Sequence, residues 1–593
     1  MTTPRIAFFE AVAPHRFKAL WSGLYFPALP ITPQDFALDA ILPTMLYLAR
    51  WGHRRGVGTF GSTFAPGQKK GPSVAQVAAH LGADHAATAG FDDPRGREAL
   101  ADLLLTWCLE NRSSREGRTE PVQRAFPTHY FASWIDLPQE ATDQRGVPEL
   151  LTAILADQPQ GESVVPDANS RGHFPVGVRQ DDNHLLALFS RGTVMDGTVG
   201  NLKGDKFDET IEPAPGLGEL LTIRMAQAVG GAPIKARGPG ERSEIPNRRP
   251  IASRQARRLR EDLSIFIRVY GDRVPKQAFT TMLEVGMALG LTQTVLATVA
   301  LLDGWQRDGV LLKEADQSPW PLFVDATHGQ NYELRLLSEA VMAEAVRGVE
   351  RLPQLLALAR VLDDTVRSEE GLRLPGTAPD PTAWFALLGD VLHERLPEAA
   401  SIRGSLGRDC RRLADRLAAS DPDRATHVSD TTVHPAWRLA ACVVALMGDK
   451  PRRLAVSCLT SALLADRPHG LAVTRRVQRT VDGKARSVVA RSVVLPSTAL
   501  DYLVHRHVLL ARRGNPATVL SLPKFLEILR ERHGLYVDRE PPGHAIPQEA
   551  LARNRQALER QLRDLGLLVG VNDAEHMKRV QPRYQVEERD GSL

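Results

Sequence analysis

Near its C-terminus the chain carries the stretch QEALARNRQALERQLRDLGLLVGV, residues 548–571, which decides the fold of this region. At about 100° per residue, a helix over 551–565 places its leucines on one narrow stripe and most of its arginines opposite them. Gly566 is suited to end this helix, and LLVGV after it predicts a strand. One helix face can therefore be buried while the other presents positive charge. The buried stripe is Leu551, Leu558, Leu562 and Leu565, and the opposite face is Arg553, Gln556, Arg560 and Arg563.

The segment around this stretch resembles a winged-helix domain. A helix is predicted over 522–533, the amphipathic helix follows, and residues 566–584 predict a β-hairpin that turns at Asn572-Asp573. The resemblance implies that the last helix lies in the DNA major groove and that the hairpin, or wing, touches the backbone. Residues 535–546 depart from the pattern, because the two helices are usually closer together. The DNA contacts that the resemblance implies are Arg553, Arg555, Arg560 and Arg563 on the helix and Lys578, Arg579 and Arg583 on the wing.

A second basic segment, residues 471–495, alternates β-branched and other residues on both sides of Asp482-Gly483. This pattern predicts a β-hairpin with one apolar face and one cationic face. A basic two-stranded ribbon can enter a DNA groove, but charge can equally protect an edge hairpin against aggregation. The nucleic-acid contacts predicted here are Arg475, Arg476, Arg479, Lys484, Arg486 and Arg491.

A third basic segment is predicted as a helix over 254–270. It would bury apolar residues such as Leu263 and expose Arg254, Arg257 and Arg258, which we also predict to contact nucleic acid. With a further helix over 291–312, it suggests a second winged-helix-like unit. The alternative is an ordinary helical core with a solvated arginine face.

Composition places the chain among soluble multidomain proteins. Of its 593 residues, 43% are hydrophobic and 24% are charged, and we see no apolar run long enough to span a membrane. The four cysteines have no C-x-x-C pair, which predicts free thiols in the cytoplasm. The net charge is +4, but residues 471–593 hold 21 Lys and Arg against 14 Asp and Glu, or +7. This concentration of positive charge favours a nucleic-acid partner.

The predicted fold class is mainly α and multidomain (α+β). It has a helical body, an irregular β-containing insert, a basic β-hairpin and a C-terminal winged-helix-like domain. Five segments follow from the composition shifts and the Pro and Gly stops. They are a helical domain at 1–120, an irregular region at 121–250 that ends in a Gly/Pro/Arg linker, a helical unit at 251–330, a helical domain at 331–470, and the hairpin with the winged-helix-like domain at 471–593.

Catalytic motifs are weak. The G-x-G-x-x-G at 56–61 follows a predicted helix instead of a strand, and no Walker A, H-E-x-x-H or G-x-S-x-G sequence occurs. His505 and His507 stand two residues apart, so a helix points them to different faces and they make a poor metal pair. We therefore predict no catalytic residues, no metal and no cofactor. The alternative is a metal-dependent nuclease or hydrolase with its site in residues 160–215, which include Asp181, Asp196 and Asp205.

Together these patterns predict a non-catalytic DNA-binding subunit or scaffold of a bacterial multiprotein DNA-transaction system, such as anti-phage defence. The predicted partners are double-stranded DNA and other protein subunits, with no membrane, in the cytoplasm. Besides the nuclease, the alternative is a scaffold whose winged helix binds another protein.

Overall fold

The structure is a computed structural model of the chain. It describes residues 249–271, 273–368, 381–481, 484–509, 520–570 and 578–584 almost continuously. Nearer the N-terminus it describes shorter pieces, which are residues 8, 10–12, 25, 27–38, 41–42, 44–45, 75, 78–79, 82, 91–105, 108–110, 122–125, 144–156, 173–175, 202–203, 206–207 and 244–246.

Helices dominate the described residues, which confirms the predicted mainly α, multidomain class. They are α1 Pro94–Leu105, α2 Val147–Ala156, α3 Ser253–Tyr270, α4 Lys276–Asp308, α5 Tyr332–Ser368, α6 Pro381–Leu392, α7 Ala399–Leu417, α8 Pro422–Ser429, α9 Pro435–Leu446, α10 Lys450–Ala462, α11 Ser497–Val508, α12 Leu522–His533 and α13 Gln548–Asp564.

The strands are short except for one pair. They are β1 Cys108–Glu110, β2 Val122–Ala125, β3 His173–Pro175, β4 Leu202–Lys203, β5 Lys206–Phe207, β6 Glu244–Pro246, β7 Leu322–Phe323, β8 Ala472–Val481, β9 Lys484–Val493, β10 Leu520–Ser521, β11 Leu535–Tyr536, β12 Leu568–Val569 and β13 Arg579–Val580. The sheets pair β1 with β2, β3 with β6, β4 with β5, β7 with β11 and β8 with β9, and one three-stranded sheet has the order β10-β13-β12.

Helix α4 is the centre of the core. It packs against α3, α5, α10 and α11, and most of its side chains are buried. Glycine is required where α3 and α11 come closest, because a Cβ on Gly286 would lie 2.6 Å from the Tyr502 ring and one on Gly290 would lie 2.3 Å from Leu259. The expectation that no apolar run is long enough to span a membrane is wrong for one segment: among the described helices, Ala278–Asp308 is apolar and long enough to cross one. Its most apolar window is 89% buried inside the protein, as in a core helix.

The long hairpin of β8 and β9 confirms the strand prediction for 471–495. The strands pair antiparallel from Ala472↔Val493 to Val481↔Lys484, on either side of the predicted Asp482-Gly483 turn. At its base, the backbone N–H of Val493 donates to the Ser338 hydroxyl of α5 at 2.8 Å. The hairpin is therefore anchored on the first turns of α5.

The C-terminal unit, residues 497–584, contains α11, α12, α13 and the three-stranded sheet. The observed bounds of α12 and α13 agree with the predicted helices to within a few residues. Residues 535–546, the segment between α12 and α13 that is longer than in the winged-helix pattern, have a structural role. They contain β11, which pairs in parallel with β7 of the body. The insert therefore ties the C-terminal unit to the helical body.

The segment that begins at Thr32, residues 32–37, does not form the helix that its local sequence predicts. Thr32-Pro33 is a favourable N-cap sequence, but residues 32–37 are not helical. Their backbone donors are taken by distant partners, since Thr32 N–H bonds to the Arg145 carbonyl at 2.8 Å and Ala37 N–H bonds to Gln144 Oε1 at 2.7 Å. Tertiary hydrogen bonds here replace the helical ones that the local sequence favours.

Candidate nucleic-acid interface and a buried ion cluster

Helix α13 has the two faces that the sequence predicts. Leu551, Leu558 and Leu562 are buried against the unit and the body. Asn554 is also buried, accepts from the Ala326 N–H at 2.9 Å and donates to the Val324 carbonyl at 2.8 Å. The exposed side presents Arg553, Gln556, Arg560 and Arg563 to solvent.

The arginines on that exposed face differ in how they are paired. Arg553 forms an ion pair with Glu333, and both side chains are about half exposed. Arg563 lies 3.8 Å from Glu559, at the limit of an ion pair. Arg560 is exposed and has no ion-pair partner among the described residues. The exposed pair of Arg553 is weak and the contact of Arg563 is long, so the three guanidinium groups remain accessible to an external phosphate.

The buried carboxylate of Glu559 gathers two of the predicted DNA contacts. Lys578 Nζ donates to it at 2.7 Å and Arg555 Nε at 3.1 Å, and the Lys578 side chain is only 13% exposed. Lys578 stands directly before β13, so this ion pair connects the wing to α13. These two cations are therefore placed to hold the wing in position.

We expect Glu559→Gln to lower the free energy of unfolding by about 1–3 kcal/mol, because it leaves the nearly buried Lys578 ammonium without its counter-charge. Urea unfolding measures the change. Glu333→Gln is the matched control, because it removes a carboxylate from an exposed pair and should cost less than about 1 kcal/mol. Equal costs for the two variants would contradict the structural role of Glu559.

The other two wing residues have different surroundings. Arg579 is exposed on β13. Arg583 Nε donates to Asp501 Oδ1 of α11 at 2.9 Å, and the next residue, Tyr584, donates its backbone N–H to His505 Nε2 at 3.2 Å. Arg583 is therefore committed to docking the chain on α11, whereas Arg579 faces solvent.

The hairpin arginines do not share one face, so the expected division into an apolar and a cationic face is wrong. Arg475 and Arg476 are consecutive, and consecutive strand residues point to opposite sides. Arg475 donates to Glu339 of α5 at 2.8 Å, Arg476 is exposed, and burial lowers the pKa of Arg491. The side chains of Arg479, Lys484 and Arg486 lie outside the described residues.

The predicted arginines of α3 bond within the protein. Arg254 Nη1 donates to the carbonyls of Ala315 and Gln317 at 2.8 and 2.7 Å. Arg257 pairs with Glu314 at 3.0 Å on the surface. Arg258 donates to the Arg532 carbonyl at 3.0 Å, and burial, with the charges of Arg254 and Arg532, lowers the pKa of Arg258 to about 10. These contacts join α3 to its neighbours.

A buried ion cluster, made of Asp262, Arg506, Arg532, His507 and His533, lies where α3, α11 and α12 meet. Arg532 Nε donates to both Asp262 oxygens at 3.0 and 3.1 Å, and Arg506 Nη2 lies 2.8 Å from Oδ1. Arg506 has no exposed surface. Burial alone would raise the pKa of Asp262, but the two guanidinium groups outweigh it and hold that pKa below its ordinary value. The cluster is therefore a charged joint inside the core.

The two histidines of the ion cluster form a neutral pair. His507 Nε2 and His533 Nε2 are 2.7 Å apart, a hydrogen bond in which one nitrogen donates and the other accepts. Burial lowers the pKa of His533 to about 3, and burial together with nearby positive charge lowers that of His507 well below its usual value. Protonating the accepting nitrogen would set two N–H groups against each other.

Asp262, His507 and His533 could each offer one ligand atom to a metal, all within 4.8 Å of one another. The electrostatics oppose this, since both carboxylate oxygens are already held by arginines. The outer nitrogen of His507, Nδ1, has no partner among the described residues, whereas a ligating histidine normally donates that N–H. The cavity beside the cluster has room for no more than about one water molecule, too little for a substrate. The residues favour an ion-pair network over a metal centre.

Sequence reasoning missed most of this cluster. It noted His507 only as a poor partner for His505, and the structure agrees that they face different neighbours. No local sequence pattern indicates that the other members, Asp262, Arg506, Arg532 and His533, lie in a buried cluster. The available signal was the run His505-Arg506-His507 in an otherwise apolar helix, all three of which are buried.

Together, these features define a mainly helical protein whose C-terminal unit is firmly docked on its body and presents exposed arginines. A family model matches residues 220–584, and the chain belongs to this family, described as methylation-associated defense system protein MAD7. This places the chain in a bacterial defence system, as the sequence analysis predicts, and suggests that it works with other components. Comparisons with curated proteins and with solved structures find no match.

Proposed function

We propose that the chain is a DNA-binding component of its defence system and that α13 enters the major groove of duplex DNA. The observation that carries the proposal is the connectivity of the C-terminal unit. The order α11, β10, α12, β11, α13, β12, β13, with β13 between β10 and β12 in the sheet, resembles the connectivity of a winged-helix domain apart from the inserted strand β11. In that fold the helix before the hairpin reads DNA.

The exposed face of α13 supplies side chains suited to that role. Arginine can bond guanine edges or hold phosphates, and glutamine can bond adenine. Arg553, Gln556, Arg560 and Arg563 provide both kinds on one face, and Arg579 extends the positive surface onto the wing. Arg555, Lys578 and Arg583 then support the surface from within through their carboxylate partners.

Fluorescence anisotropy with the full chain and a labelled duplex, at several salt concentrations, tests the proposal. The wild-type chain should bind with an affinity that falls as salt rises. Changing Arg560 and Arg563 together to alanine should weaken binding and reduce the slope of log K against log salt by up to about 2. The matched control is the double alanine variant of Arg408 and Arg411, two exposed arginines on α7, which should bind like the wild type.

Two outcomes would overturn the proposal. The first is a folded wild-type chain that does not bind duplex DNA at low salt, which would favour the protein–protein scaffold. The second is an equal loss for both double variants, which would mean that net charge matters and α13 does not.

The nuclease hypothesis stays a prediction. Of residues 160–215 the structure describes 173–175, 202–203 and 206–207, and the carboxylates Asp181, Asp196 and Asp205 lie outside the described residues. The predicted division into five domains and the predicted cytoplasmic location likewise stay predictions.

A further inference from the structure

Tyr332, the first residue of α5, stands out on the surface. Its side chain is 67% exposed, and it is the one exposed aromatic residue in the part of the chain that the structure describes. The guanidinium carbon of Arg335 lies 5.0 Å from the ring centroid, in the range of a cation–π contact. Leu336, on the adjoining turn, is also exposed. The first turn of α5 therefore presents a ring, a cation and an apolar side chain together.

A chain of contacts connects the first turns of α5 to both basic elements. On one side, Glu333 forms the ion pair with Arg553 of α13. On the other side, Glu339 receives Arg475 of the hairpin at 2.8 Å and lies 3.8 Å from Arg335. From Tyr332 to Glu339 the helix rises only about 10 Å, at about 1.5 Å per residue.

The geometry points to one continuous surface that includes the hairpin, the first turns of α5 and α13, and we propose that Tyr332 contacts the same DNA duplex that α13 binds. This inference rests on the proposed function. Arg553 of α13 contacts Glu333, the residue next to Tyr332, and a helical turn of DNA is roughly 34 Å long, so a duplex held by α13 would lie within reach of the ring. The ring can then pack on sugar or base edges while Arg475 and Arg553 face the phosphates.

Cations on both sides of the ring favour DNA over an apolar protein partner. Arg475 and Arg553 each keep more than two fifths of their side chain exposed despite their ion pairs. A phosphate backbone would compete with Glu339 and Glu333 for these guanidinium groups, and bidentate pairing with phosphate suits arginine.

The test compares Tyr332→Ala and Tyr332→Phe in the full chain, by the same anisotropy measurement with the same duplex. Tyr332→Ala should weaken binding about three- to tenfold, because the stacking surface is lost. The salt slope should not change, since the ring carries no charge. Tyr332→Phe should keep most of the affinity. The control is Leu312→Ala, which trims another side chain that is more than half exposed, at 55%, and should have no effect.

The outcomes separate this inference from the proposed function. If Tyr332→Ala binds like the wild type while the Arg560 and Arg563 double variant is impaired, the Tyr332 contact is wrong and the DNA-binding function stands. The ring would then be left to a protein partner. If the wild-type chain does not bind duplex DNA, both proposals are wrong. A thermal melt of each variant, expected to match the wild type, shows that any loss is not caused by unfolding.

Discussion

Replacing Asp262 with asparagine is expected to lower the free energy of unfolding by about 3–5 kcal/mol. The carboxylate is the common partner of Arg506, which has no exposed surface, and of Arg532, which is largely buried. Without it, Arg506 loses the carboxylate it pairs with, and Arg532 keeps only its pair with the partly exposed Glu261. Uncompensated buried charge is among the most damaging single changes a core can suffer.

Urea unfolding followed by circular dichroism measures this loss. The control is Asp390→Asn, which removes a carboxylate from a surface pair with Arg395 and should cost less than about 1 kcal/mol. A second variant, Asp262→Asn combined with Arg506→Met, should recover part of the loss, because it removes the unpaired charge as well. If Asp262→Asn costs no more than Asp390→Asn, the ion cluster is not what holds α3 to α11 and α12.

Acidification should destabilise the protein well before its carboxylates take up protons. His507 and His533 are buried and paired, and burial lowers the pKa of His505 to about 4. Histidine in the unfolded chain has a pKa of about 6.5. Below that pH the unfolded chain binds protons, whereas these histidines stay unprotonated in the folded chain. The contribution of these histidines to the free energy of unfolding is therefore fully present above about pH 6.5 and is lost as the pH falls.

The size of this effect follows from linkage. Each of the three histidines costs up to about 1.4 kcal/mol per pH unit below pH 6.5, until the pH reaches its pKa in the folded state. For His505 that limit is about 4 and for His533 about 3. The pKa of Asp262 is lowered in the folded chain, so Asp262 reduces stability only when the pH falls below the ordinary pKa of a carboxyl group.

Urea midpoints between about pH 7.5 and 5 test this expectation. His507→Gln should reduce the dependence of stability on pH by up to one histidine's share, whatever its effect on stability itself. His427→Gln, at an exposed histidine of α8, is the control and should leave the dependence unchanged. A wild-type stability that is flat across this range would show that these histidines are protonated in the folded chain.

The parts of the fold that the sequence predicted well are those set by neighbours along the chain. The leucine and arginine stripes of α13 follow from its helical period, and Gly566 follows it as expected. The register of β8 and β9 follows from Asp482-Gly483 between β-branched runs. Both signals lie within about 25 residues of sequence, so they needed no knowledge of the rest of the molecule.

The parts that escaped prediction depend on distant partners. Asp262 and Arg532 are 270 positions apart, and nothing local marks either as half of a buried pair. Thr32 and Pro33 have the chemistry of a helix start, yet the tertiary partners Arg145 and Gln144 claim the backbone. Among the predicted DNA contacts, a sequence cannot tell Arg560, which faces solvent, from Arg555, whose Nε bonds to Glu559.

The pairing of β11 with β7 has a mechanical consequence. The strand pairing, the hydrogen bonds of Asn554 and the ion cluster attach the C-terminal unit to the body at several separated points. We therefore expect α13 to move together with the helical body and not to rotate about a hinge. If α13 binds DNA as proposed, the orientation of the whole chain relative to the DNA axis would be fixed, and so would that of any protein bound to the body.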